Sequence, residues 1–263
     1  MSRLTVRDLS VWLQGAPIVR NVSCAVGAGE IVGVIGPNGA GKSTLLRAAC
    51  ALIPAAAGAA VLDGQEITAM SPDARARAIA YLPQRHVLHW DLSLSQVVSL
   101  GRLPHVSGMD RLTPADRDAI GRAMEIAEIT AFADRRVGTL SGGELARGML
   151  ARALAVEAPL LFADEPVAAL DPYHALHIME LLRDLARSGR AVLVVLHDLT
   201  LALRFCDRLL LLQGGRLIAE GAPQDVLVPE RLEAAYRVNA EYGVRAGEPY
   251  IVPWTRLPGG GLG

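Results

Sequence analysis

The sequence predicts an α/β fold whose core is interrupted by a helical insert, and three observations predict it. Residues 160–163 (LLFA) and 191–196 (AVLVVL) are apolar without alternation, as expected of strands covered on both faces of a parallel sheet. A glycine-rich stretch, residues 36–44 (GPNGAGKST), lies between a strand-like apolar run and a run with helical apolar spacing. From Arg85 to about Val156 strand-like runs vanish, and helical patterns separated by Gly101, Pro104, Gly108 and Pro114 replace them.

In chain order, residues 4–9, 19–26 and 30–35 read as strands, separated by Gly15, Pro17, Gly27 and Gly29. Residues 43–52 read as a helix. Val61-Leu62 ends in the turn signal Asp63-Gly64, and residues 79–82 form a short strand closed by Pro83. Helical patterns cover 145–156 and 173–187. Residues 208–212 and 216–219, joined by Gly214-Gly215, read as a hairpin. Beyond Ala222 the tail holds a short helix or two, then residues 242–252 with a turn at Gly247, and LPGGGLG is expected to be disordered. No internal repeat is present.

Composition narrows the function classes. A chain of 263 residues buries roughly three quarters of its unfolded surface and needs no disulfide staples. With 51% hydrophobic and 20% charged residues it is not a disordered chain, and a net charge of −1 leaves no footprint for nucleic acid or anionic lipid. Cys24, Cys50 and Cys206 fit neither a disulfide framework nor a C-x-x-C metal site; Cys50 and Cys206 read as small apolar fillers. The first ten residues lack the apolar core of a secretory signal, and no stretch reaches the roughly 20 apolar residues of a membrane span. A soluble protein of a reducing compartment is expected.

Of the 26 basic residues only one, Lys42, is lysine. It lies in the glycine-rich stretch, where a compact ammonium serves and a planar guanidinium does not fit. Gly36, Pro37, Asn38, Gly39, Ala40, Gly41, Lys42, Ser43 and Thr44 make G-x-x-x-x-G-K-[ST] between a strand and a helix. The glycines let successive N–H groups turn inward on phosphate oxygens, and the helix N-terminus adds partial positive charge. Lys42 is placed for the β- and γ-phosphates and Ser43 for Mg²⁺. An ordinary strand–helix turn with an exposed lysine is the weaker alternative.

The run 159–166 (PLLFADEP) is an apolar strand ending in two carboxylates, where ligands of parallel sheets sit. Asp164 suits a metal, directly or through water; Glu165 suits orienting or deprotonating an attacking water. Alone, the pair would read as a capped strand end. A second anion-binding helix terminus follows from Ser141, Gly142, Gly143 and Glu144 before the helical run 145–156. Two phosphate sites but one strand of carboxylates point to completion by a second copy of the chain.

These motifs together resemble the nucleotide-binding subunit of an ABC transporter, from about Leu4 to Val252. GPNGAGKST is similar to its Walker A, LLFADEP to its Walker B, and LSGGE to its signature motif LSGGQ. Gln84 resembles the Q-loop, Ala169-Leu170-Asp171 the D-loop, and His197 the switch histidine. The resemblance implies a P-loop NTPase (RecA-like) core with an N-terminal antiparallel β-subdomain and an inserted α-helical subdomain. One ATPase domain would span 1–263: 1–84 and 157–221 as core with β-subdomain, 85–156 as helical insert, 222–263 as C-terminal tail. It further implies a head-to-tail dimer hydrolysing ATP with Mg²⁺ between the Walker A of one subunit and Ser141, Gly142 and Gly143 of the other. Asp171 would lie at the nucleotide seam, Ser43, Gln84 and Asp164 would hold the metal, and Glu165, His197 and Gln84 would be catalytic. The family's adenine-stacking aromatic falls at Leu13, with Trp12 next door; the D-loop serine is Ala168 and the signature glutamine is Glu144.

A narrower resemblance lies in residues 82–105, residues 197–227 and the tail through Pro253, which are similar to ATPases of iron–siderophore, haem and cobalamin importers. It implies polytopic permease subunits as partners, indirectly a periplasmic or surface substrate-binding protein, no nucleic acid, and a peripheral place on the cytoplasmic face of the inner membrane. Residues 85–105 would lie near a groove for a permease helix, against the alternative of an amphipathic helix packed into the insert. An exporter ATPase, or a soluble ATPase acting on ribosomes or DNA, are the competing readings. His174 and His177 stand at helical spacing suited to a metal, yet a solvated face is the expectation, as is a surface turn for Arg135-Arg136.

Overall fold

The computed structural model describes residues 2–84, 91–106, 111–168 and 170–257. The chain opens with two antiparallel strands, β1 (Ser2–Leu13) and β2 (Ala16–Gly27), longer than their apolar runs. Polar positions extend them. The Asp8 N–H donates to Ser23 Oγ at 2.8 Å, and the Ser23 hydroxyl donates to Asp8 Oδ1 at 3.0 Å. Asp8 (φ 48°) and Asn21 (φ 53°) take left-handed backbone, and the register of β1 shifts between Val6 and Leu9 and again beyond Leu9.

β3 (Ile31–Ile35) leads through the glycine-rich loop into α1 (Lys42–Ala49). β4 (Ala57–Leu62) and β5 (Gln65–Glu66) then turn tightly on Asp63 (φ 46°) and Gly64 (φ 88°), the positive pair that a two-residue hairpin requires. The first sheet has the order β2-β1-β4-β5, which is the antiparallel β-subdomain. α2 (Pro72–Ala78), capped by Ser71, delivers the chain to β6 (Ile79–Leu82).

The insert is helical. α3 (Leu94–Ser99), α4 (Pro114–Ile126) and α5 (Gly142–Ala155) each begin with a capping box, Ser93/Gln96, Thr113/Asp116 and Ser141/Glu144. Arg102, in a 3-10 turn after α3, is 6% exposed; it donates to Asp116 Oδ1 at 2.9 Å, to Glu157 Oε2 at 3.0 Å and to the Ala155 carbonyl at 2.8 Å. One guanidinium thereby joins the start of α4 to the end of α5.

The core resumes with β7 (Leu160–Asp164), α6 (Pro172–Arg187), β8 (Ala191–Val195), α7 (Leu199–Phe205), β9 (Arg208–Gln213) and β10 (Arg216–Gly221). The second sheet has the order β10-β9-β3-β8-β7-β6, parallel except for the β9–β10 hairpin. Its two faces follow the two-residue period of a strand. Ile31, Ile35, Leu161, Ala163, Val192 and Val194 face the insert, α6 and α7; Val32, Val34, Leu160, Phe162, Leu193 and Val195 face α1 and the β-subdomain. Phe162 is fully buried, so truncating it to alanine would cost about 3–5 kcal/mol.

α8 (Pro223–Val226) and α9 (Pro229–Tyr236) precede a hairpin of β11 (Val238–Arg245) and β12 (Glu248–Arg256), turning at Ala246 and Gly247. The strands begin earlier and end later than residues 242–252. β12 is fixed to α7 by the Thr200 hydroxyl, which donates to the Ile251 carbonyl at 2.6 Å. Residues 85–90 and Ala169, and all but the first residue of LPGGGLG, lie outside the described residues. Among the described residues no helix is long and apolar enough to cross a membrane.

Candidate nucleotide site

The loop after β3 is glycine-dependent at two points. Gly36 has φ 146°, and a Cβ there would stand 2.1 Å from the Leu212 carbonyl oxygen. Gly41 has φ 95° and serves as N-cap of α1, with the Ile18 carbonyl 2.7 Å from where its Cβ would be. Leu45 N–H reaches the Gly41 carbonyl at 2.8 Å, so α1 begins where the sequence places it. Its first turn carries no acidic residue, leaving its N–H donors suited to an anion.

Lys42 is 6% exposed, and its Nζ donates to the carbonyls of Gly36 (2.7 Å) and Pro37 (3.0 Å). Burial pushes its pKa down, while Glu165 and Asp164 pull it up. The ammonium thus closes the loop on itself and is aimed by the loop it closes.

Asp164, the last residue of β7, is 3% exposed. Ser43 Oγ donates to its Oδ1 at 2.8 Å and the Tyr81 hydroxyl to its Oδ2 at 3.2 Å. Burial raises the Asp164 pKa, and those two hydrogen bonds hold it down. The Ser43 hydroxyl in the first turn of α1 and the Asp164 carboxylate at the end of β7 form an all-oxygen donor set, which fits Mg²⁺ with phosphates and water completing the shell.

Glu165 takes φ 52°, left-handed backbone that costs a non-glycine residue of order 1–3 kcal/mol. Its carboxylate receives two side chains from neighbouring strand ends: His197 Nε2 lies 2.6 Å from Oε1, and Gln84 Nε2 donates to Oε2 at 2.5 Å. A carboxylate only accepts, so the His197 Nε2 carries the proton. β6, β7 and β8 each deliver one of these residues to the same sheet edge.

A cleft of about 600 Å³ gathers Asn38, Gly39, Ala40, Gly41, Lys42, Ser43, Thr44, Gln84, Glu165 and His197 with Leu13 and Ile18. Leu13, not Trp12, faces this cleft. Trp12 lies on another surface with Pro17, Arg20 and Arg216. An aliphatic pair therefore stands where an aromatic was expected.

Ser141, Gly142 and Gly143 are not among the cleft's lining residues. Ser141 caps α5; its N–H donates to Glu144 Oε2 at 2.7 Å, and Arg135 Nη1 donates to Glu144 Oε1 at 3.1 Å. Backbone and side-chain hydrogen bonds to Ser141 hold the Glu144 pKa down. Asp171 caps α6, its Oδ1 accepting the His174 N–H at 3.0 Å and its Oδ2 standing 2.7 Å from His174 Nδ1. His177 turns instead toward Glu128, 3.7 Å away, so the two histidines do not converge. Arg136 Nη1 donates to the Asp91 carbonyl at 2.6 Å, so both arginines of the surface turn have partners within the chain. Cys50 and Cys206 are buried thiols, with burial pushing Cys50 up to about 12.

Two residues at the site escape sequence reading. Tyr81 was read only as part of a short strand, and Ile18 lies one residue before the strand-like run 19–26; period two along β6 and β7 fixes no register between them, so the pairing of Tyr81 with Phe162 comes from the structure alone.

Residues 19–168 match the family model described as ABC transporter. The cobalamin import ATP-binding protein BtuD of Halobacterium salinarum is 44% identical over 91% of this chain, which spans only 60% of that relative's length. The hemin import ATP-binding protein HmuV of Pseudomonas aeruginosa is 42% identical over 95% of this chain and 99% of its own. Among solved structures, an ABC transporter in an inward-facing conformation superposes with a TM-score of 0.84 over 97% of this chain and 98% of its own, at 24% identity. A bacterial ABC transporter cassette solved as a dimer superposes at 0.75 over 84% of this chain and 98% of its own, at 28% identity. With a family model matched over more than half of its length and relatives above 40% identity, the chain belongs to the ABC transporter family.

Proposed function

We propose that the chain is the ATP-binding subunit of an ABC importer and hydrolyses ATP in sites shared between two copies. The observation that carries this is the convergence of Lys42, Ser43, Glu165, Gln84 and His197 on one cleft, with Asp164 hydrogen-bonded to Ser43 at its border, from the ends of β3, β6, β7 and β8. The loop N–H groups and Lys42 bind the β- and γ-phosphates. Ser43 and Asp164, with Gln84 alongside, would hold Mg²⁺, which when bound offsets negative charge on the phosphate oxygens.

Glu165 orients the attacking water and accepts its proton, and its two hydrogen bonds fix the carboxylate for that task. His197, whose Nε2–H points to Glu165, would turn that donor to hold the γ-phosphate once ATP is bound, leaving Gln84 on the carboxylate. Gln84 ties Glu165 to the strand that leads into the insert, so a displacement of the insert reaches the base. Leu13 and Ile18 pack against the nucleobase. The capped terminus at Ser141, Gly142 and Gly143 supplies the γ-phosphate contacts of the second copy, with Asp171 at the seam; its absence from the cleft lining supports a shared site.

The relatives' names support a cargo in the haem or cobalamin class, and an importer role would take polytopic permease subunits as membrane partners and a substrate-binding protein upstream of them. The chain then acts at the cytoplasmic face of the membrane, held there by the permease. Co-purification tests this reading. The tagged chain should bring down a polytopic membrane protein that stimulates its ATP hydrolysis, and Lys42→Ala should remove that hydrolysis. Recovery of ribosomes or DNA instead, or full hydrolysis by Lys42→Ala, would overturn it.

A further inference from the structure

We propose that Tyr81 is a positioning residue for the metal site, acting through Asp164. The inference rests on the ATPase reading above and assigns a role to a residue outside the phosphate loop and the carboxylate motif.

Asp164 is almost fully buried, and both of its oxygens are taken by hydroxyl donors. Ser43, from the first turn of α1, holds Oδ1 at 2.8 Å, and Tyr81, from β6, holds Oδ2 at 3.2 Å. The strand register explains why these two elements meet. Tyr81 pairs with Phe162 and Leu82 with Ala163, so Tyr81, Phe162 and Asp164 share the sheet face that α1 covers. One carboxylate therefore joins three elements, and without Tyr81 its second oxygen would lose its only side-chain donor among the described residues. A carboxylate turns about its last bond with a broad, two-fold preference. The Tyr81 hydroxyl narrows that rotation to the plane in which one oxygen meets Ser43 and the other meets Tyr81.

Tyr81 does more than satisfy its own hydroxyl in a core. Tyr81 and Asp164 also line a second cleft, of about 550 Å³, together with Ser43, Arg47, Pro83 and Gln84. Ser43 and Gln84 border both clefts, so the Ser43–Asp164 contact stands at their junction. Three residues beyond Tyr81, Gln84 donates to Glu165. The end of β6 thus supplies a donor to each of two consecutive carboxylates, Tyr81 to the metal carboxylate and Gln84 to the catalytic one. Partners of this kind around a metal ligand commonly control affinity for the metal rather than for the rest of the ligand.

The test separates Mg²⁺ from nucleotide. ATP affinity is measured by calorimetry with Mg²⁺ and with EDTA, at low temperature and in a Glu165→Gln background that suppresses turnover. Tyr81→Phe, which deletes only the hydroxyl, should weaken ATP binding about tenfold with Mg²⁺ and leave the EDTA value within about twofold. In an Asp164→Asn background the same change should add nothing, because the residue it acts through is already altered. Equal losses with and without Mg²⁺, no loss, or an undiminished effect in the Asp164→Asn background would each overturn the proposal. If the Glu165→Gln parent binds no ATP under either condition, the ATPase reading fails and this inference goes with it. A thermal melt of each variant shows that the comparison is between folded proteins.

Discussion

His197 Nε2 lies 2.6 Å from Glu165 Oε1, and this one hydrogen bond joins the ends of β8 and β7 across the mouth of the cleft. Gln84 holds the other oxygen of the same carboxylate from β6. Glu165 is therefore oriented by two neighbours before any substrate arrives, on a left-handed backbone that turns it out of the strand.

Glu165→Gln should lower turnover by at least about 100-fold while keeping ATP affinity within a few-fold, since it removes the base and keeps the shape. Because ATP is bound but not consumed, the variant should accumulate as an ATP-dependent dimer on size-exclusion chromatography. Wild-type turnover in Glu165→Gln would remove the residue from its role.

Trp12 and Leu13 make a second contrast. Leu13 lines the cleft and Trp12 does not, so Leu13→Ala should weaken ATP binding by about fivefold, the transfer energy of part of a leucine side chain. Trp12→Ala should leave it unchanged. Fluorescent-nucleotide titration distinguishes them, and the reverse pattern would place the nucleobase on the other face of β1.

The insert should show an acid weakness of its own. Hydrogen bonds from the Thr113 side chain and backbone, then from Arg102, hold the Asp116 carboxyl down at about 2. Its folded pKa lies below its ordinary value, so the stability it contributes is complete above about pH 4 and is lost as pH falls toward 2. Asp116→Asn should cost on the order of 3 kcal/mol at neutral pH, because Arg102 is left with one fewer carboxylate in a buried site. It should also flatten the decline of Tm between pH 4 and 2. A Tm series across that range in both proteins reads both effects.

Contiguous features of the site were legible in the sequence. Lys42, Ser43, Asp164, Glu165 and Ser141 stand in short runs whose spacing points to the chemistry proposed for them, and the Ser141 cap and the apolar runs of β7 and β8 are local signals too. The rest depends on register. β1 carries a register shift between Val11 and Trp12, so alternation along the strand could not tell which of Trp12 and Leu13 meets the nucleotide. Tyr81 meets Asp164 only because β6 pairs with β7, two strands separated in sequence by the whole insert. The His174–His177 spacing was equally ambiguous; the structure sets His174 Nδ1 against Asp171 Oδ2 at 2.7 Å, while His177 Nε2 makes no hydrogen bond among the described residues. The lone lysine among 26 basic residues was the most telling signal of composition, and the buried loop carbonyls around its Nζ explain why a compact cation is used there.

The central claim is that each ATP is held by Lys42 of one copy and Ser141 of the other, and mixing two inactive variants tests it most directly. Lys42→Ala and Ser141→Arg should each be inactive alone. Mixed in equal amounts they should recover up to about a quarter of wild-type turnover, since half of the random dimers carry one intact site of two. A mixture as inactive as its components, or wild-type turnover by Ser141→Arg alone, would contradict the shared site.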